Sequence, residues 1–113
     1  NVNIIWQGDA NARVLQSFAL CDTPPRILNV TGPEIISIRW MARRLGHLLG
    51  REPVFTGSES ETALISNSAQ SMALFGYPTV PIGRVIEWVA YWVLIGGPTL
   101  DKPTHFEVRD GRF

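Results

Sequence analysis

The feature that most constrains this chain is residues 26–55, RILNVTGPEIISIRWMARRLGHLLGREPVF, which read as one strand-loop-helix-strand unit. Ile27 to Val30 form a short apolar run, and Gly32-Pro33 then punctuates the chain as a turn does. Ile38, Met41, Ala42, Leu45, Leu48 and Leu49 recur at steps of three and four, so they share one helical face. Arg39, Arg43, Arg44 and His47 fall on the opposite face, where a solvated set of charges is the ordinary counterpart of an apolar stripe. Ser37 is placed to cap the start of this helix and Gly50 to end it. Val54-Phe55 follows directly, which makes the unit a right-handed crossover between two parallel strands.

The flanks extend the same pattern. Val2, Ile4 and Trp6 alternate with Asn3, Ile5 and Gln7 as in a strand, and Asp9 stands as the cap of a helix that carries Val14, Leu15, Phe18 and Ala19 on one face. Pro24-Pro25 ends that helix and forces an extended approach to Ile27. The expected fold class is therefore α/β: a small parallel or mixed sheet in the order strand-helix-strand-helix-strand, followed by a mainly helical carboxy-terminal half. In that second half Asn67 caps a short helix running to Phe75, and Pro81 opens a longer one.

From Ile82 to Ile95 this last helix places Ile82, Val85, Ile86, Val89, Trp92 and Val93 on one face, while Trp88, Tyr91 and Leu94 carry apolar surface further round. A helix this apolar is buried on more than one side. Fully burying each such side chain contributes about 1.5–3 kcal/mol, so the second face calls for cover, and Trp88, Tyr91 and Trp92 are the candidate self-association residues. The tail, with Phe106 and Val108 alternating against His105 and Glu107, reads as a solvated edge strand.

At 113 residues the chain is a single domain, 1–113, large enough for one core but too small for a complete dinucleotide-binding fold with its substrate lobe. Ten basic and ten acidic residues are spread along it, which argues against a nucleic-acid or anionic-membrane partner. The single cysteine, Cys21, excludes an internal disulfide and fits a reducing, cytoplasmic setting. No Cys and His spacing marks a metal site, and the longest apolar run, residues 88–95, is too short to span a bilayer.

Three segments carry a family resemblance. NVTGPE before an amphipathic helix and then LLGREPVF, with NIIWQGDANA at residues 3–12 and NSAQSMALFGYP at residues 67–78, resembles the carboxy-terminal part of the NAD-dependent epimerase/dehydratase family, the extended short-chain dehydrogenases/reductases. The three lie in the family's order and spacing over about nine tenths of the chain. The resemblance implies a parent enzyme that uses NAD(P), with the cofactor-binding half and the catalytic tyrosine and lysine lying amino-terminal to this region. It also implies that residues 56–67 line a substrate site.

The chemistry of such an enzyme is missing from the chain itself. There is no G-x-G-x-x-G turn to admit a pyrophosphate, and Lys102, the only lysine, follows no tyrosine at the four-residue spacing that lowers a tyrosine's pKa. No catalytic or cofactor-binding residue is assigned. Glu34, Glu59, Glu61 and Thr62, on the loop after Gly32 and the polar loop after Phe55, are the candidate substrate-binding residues for a small molecule. Many members of the family place an arginine near Thr62-Ala63 and a lysine at Gln70; their absence points away from a nucleoside diphosphate sugar and towards a small uncharged or carboxylate substrate. The leading expectation is a substrate-side portion whose partner is the missing cofactor half. A stand-alone, non-catalytic α/β module that forms a homodimer or binds a small ligand is the alternative.

Overall fold

The computed structural model describes residues 1–59 and 61–102. Four helices organise them: α1 Gln7–Ser17, continued by a 3-10 turn Phe18–Leu20, then α2 Ile38–Leu49, α3 Ala69–Phe75 and α4 Ile82–Leu94. No strand occurs among the described residues, so the expected α/β class and its parallel crossover are wrong for this chain. A strand persists only where a neighbour bonds its backbone along several residues. Val2 finds only isolated bridges, antiparallel to Ile36 and parallel to Leu64. The apolar runs at 27–30 and 54–55 take no regular structure and have no ladder, and Ile27 and Val54 are 88% and 86% exposed. The expected edge strand around Phe106 and Val108 lies outside the described residues.

The helix ends show how much is set locally. At α2, Ser37 Oγ accepts from the Trp40 N–H at 3.3 Å, and Gly50 ends the helix in the left-handed region at φ 65°. Both match the expectation. Helix α3 starts after Ser68 rather than at Asn67, although Asn67 Oδ1 accepts from the Ala69 N–H at 3.0 Å and so closes the turn just ahead of it. The first helix begins earlier than expected, at Gln7 with Trp6 as its cap, so Asp9 lies inside the first turn and is not the cap.

Packing pairs α2 with α4 and α1 with α3. Ile86 and Ala90, one turn apart on α4, are buried, and with Ile36 they are the buried apolar side chains of the described residues. The inward row of α4 is thus narrower than expected: Val89, Trp92 and Val93 face out with Trp88, Tyr91 and Leu94. Trp6 packs its ring edge to face against Trp88, centroids 5.5 Å apart, which ties the entry of α1 to α4. No helix among the described residues is long and apolar enough to cross a membrane.

Candidate functional site

Two polar clusters stand out, and the first is structural. Asp9 and Arg13 sit one turn apart on α1 and both are buried. Asp9 Oδ1 accepts from the Thr79 hydroxyl at 2.8 Å and the Thr79 N–H at 3.1 Å, and Oδ2 accepts from the Val80 N–H at 3.1 Å. Arg13 Nη1 donates to the Phe75 carbonyl, and Nη2 donates to those of Gly76 and Tyr77, each at 3.0 Å. One carboxylate and one guanidinium therefore satisfy both the carbonyls leaving α3 and the amides approaching α4. Burial works against the Asp9 charge, but the bonds from Thr79 and Val80 and the nearby Arg13 charge outweigh it and hold its pKa below the ordinary value. With both Asp9 oxygens and both terminal nitrogens of Arg13 engaged inside the fold, this clasp positions elements of the chain.

A second fixed point joins the amino-terminal segment to two loops. Asn3 Nδ2 donates to the Ser66 carbonyl at 2.7 Å and its Oδ1 accepts from the Ser66 N–H at 3.1 Å, while the Thr31 hydroxyl donates to the Asn3 carbonyl at 2.9 Å. The chain around Gly32 is thereby drawn against Ile4, so closely that a β-carbon on Gly32 would stand 2.1 Å from the Ile4 carbonyl oxygen.

The second cluster is open to solvent and lies where the polar loop after Phe55 meets the start of α2. It borders a cavity of about 320 Å³ lined by Ser37, Ile38, Arg39, Phe55, Glu59 and Thr62 among others. Glu59 and Thr62, expected to bind substrate, are therefore brought to one cavity, whereas Glu34 and Glu61 are exposed and do not line it. Arg39 is the residue missed by the sequence reading, which assigned it to the solvated face of the helix. Its Nε and Nη2 both donate to Glu59 Oε1, at 2.9 and 2.6 Å, and its guanidinium carbon lies 4.3 Å from the centre of the Phe55 ring. The hydrogen bonds and charge of Arg39 hold the Glu59 carboxyl below its usual pKa.

The other candidates are placed apart from this cavity. Trp88, Tyr91 and Trp92 lie on the outer side of α4, where the Trp92 indole N–H donates to the Pro98 carbonyl at 3.1 Å. Among the described residues no three His, Cys, Asp or Glu side chains come together as a metal site would require. No family model, curated protein or solved structure matches the chain.

Proposed function

We propose that this chain is the substrate-side, carboxy-terminal portion of an NAD(P)-dependent epimerase/dehydratase-like protein, and that its cofactor-binding half is supplied by other residues of the complete protein. The class rests on the three motifs in register at residues 3–12, 29–55 and 67–78. The observation that carries the need for a second half is the surface. Large apolar side chains stand exposed among the described residues: Val14, Leu15 and Phe18 on α1, Ile27 after it, and Trp88, Val89, Tyr91, Trp92, Val93 and Leu94 on α4. Exposed apolar side chains in a row along a helix, as on α4, are the kind of surface that another body covers.

In this reading the chain contributes substrate contacts and shape, while the hydride-transferring NAD(P) and the tyrosine base belong to the other half. A cytoplasmic setting goes with the same reading, since one exposed cysteine needs no oxidising compartment. The test is to express the complete reading frame that contains these residues and to titrate it with NADH and NADPH by fluorescence. Saturable binding by the complete product and none by residues 1–113 alone is the expected result. A complete product that holds no glycine-rich turn and binds neither nucleotide overturns the proposal.

A second reading is favoured by one observation, the exposure of Trp88, Tyr91, Trp92 and Leu94 along a single helix. Here α4 covers its outer face with a second copy of the chain, and the assembly is a homodimer with no redox chemistry of its own.

A further inference from the structure

Arg39 is held in an unusual way for an exposed arginine. Its guanidinium carbon stands 4.3 Å from the centre of the Phe55 ring, a contact that restricts the rotamers a free side chain would sample, and its Nε and Nη2 both donate to Glu59, which lines the same cavity. Both of those N–H groups converge on a single oxygen of Glu59, although this edge of a guanidinium matches the two oxygens of one carboxylate side by side. Glu59 is a poor anchor in its own right. Its side chain is 77% exposed, and it stands on a loop containing Gly57, at φ 77°, and Ser58.

We propose that the Arg39–Phe55 platform binds the carboxylate of a small organic acid, and that Glu59 occupies the platform when no ligand is there. An exposed ion pair contributes little to stability, so exchanging the Glu59 carboxylate for a ligand carboxylate costs little. The ligand gains the second N–H···O bond, and its apolar body gains Phe55 and Ile38, which form the apolar side of the cavity. Among the described residues that line the cavity, Arg39 is the sole basic side chain, so the fork geometry that selects a carboxylate comes from it alone, while Asn1 adds its amino group to the lining. Calling this acid a substrate rests on the substrate-side reading above; the binding itself does not.

The experiment titrates the chain with sodium benzoate at low ionic strength, followed by amide NMR shifts of the segment around Phe55 and Glu59, with inorganic phosphate as the comparison. Glu59→Gln removes the internal competitor and tightens benzoate binding about two- to fivefold. Arg39→Gln abolishes binding, and Arg39→Lys, which keeps the charge but loses the fork, weakens it; circular dichroism shows that each variant is folded. Equal benzoate affinity in the wild type, Glu59→Gln and Arg39→Lys overturns the proposal. So does phosphate binding as tightly as benzoate in Glu59→Gln, which would make the platform a general anion site. Nucleotide titration of the complete product reads neither residue, so failure of the cofactor reading and failure of this site give different results.

Discussion

The Thr79 hydroxyl lies 2.8 Å from Oδ1 of Asp9 and donates a hydrogen bond to it, joining the first turn of α1 to the approach of α4 across a sequence separation of 70 residues. Arg13, on the next turn of α1, grips the carbonyls of Phe75, Gly76 and Tyr77, just ahead of Pro78 and Thr79. These two residues hold the only well-buried polar link between the halves of a fold whose apolar core is small, so much of the tertiary specificity rests on them among the described residues.

Replacing Asp9 with Ala should therefore be among the most destabilising polar substitutions. It strips partners from the Thr79 and Val80 amides, and the loss should be about 2–3 kcal/mol in urea unfolding. Arg13→Lys cannot bridge several carbonyls at once and should lose about 1–2 kcal/mol; the double variant should fall short of the sum, because the two act on one loop. The pH dependence follows from the lowered pKa of Asp9. A depressed folded pKa contributes stability that is present above the unfolded value near 4 and lost as pH falls through the folded value. Thermal melts should thus drop more steeply below pH 4 in the wild type than in Asp9→Asn, and parallel acid profiles for the two would show that the clasp is not charged.

What was legible in the sequence was what neighbouring residues decide. Ser37 and Gly50 could be read as cap and stop because each acts within one turn of itself. The apolar runs at 27–30 and 54–55 misled because a strand's pattern records where side chains point, not whether another segment lies alongside to take its hydrogen bonds. Asp9 was legible as a special position but not in its role, since Thr79 and Val80 are some seventy residues away. Arg39 was read as solvated for a similar reason. Helical periodicity gives the face of α2 that it occupies, but not that the loop carrying Glu59 folds back over that face.

Two glycines should respond to alanine with opposite signs. At Gly32 the new β-carbon meets the Ile4 backbone carbonyl at 2.1 Å, and backbone cannot swing aside as a side chain can. Gly32→Ala should cost about 1–3 kcal/mol and loosen the Asn3–Thr31 contact, visible as faster amide exchange near Ser66. At Gly83, inside α4, nothing lies within 4 Å of a β-carbon. Gly83→Ala, in the first turn of α4, should instead stabilise, by less than the roughly 0.5–1 kcal/mol of a helix interior. If both changes destabilise alike, the close approach of Gly32 to Ile4 is not what sets its residue type.

The outer face of α4 separates the two functional readings, provided that the residues chosen have no duty within the chain. Trp88 and Trp92 are poor probes: Trp88 packs on Trp6, and Trp92 donates to Pro98, so polar replacements there should unfold as much as they dissociate. Tyr91 and Leu94 are each 62% exposed and serve better. If a second copy covers α4, sedimentation of the wild-type chain should show a concentration-dependent dimer, and Tyr91→Glu with Leu94→Glu should give a monomer whose melting temperature at low concentration is nearly unchanged. If the face belongs instead to the cofactor half, the same pair should leave the sedimentation of the isolated chain as it was while lowering the stability of the complete protein. A wild-type chain that stays monomeric at high concentration removes the homodimer reading and leaves the proposed cofactor half as the reading still to be tested.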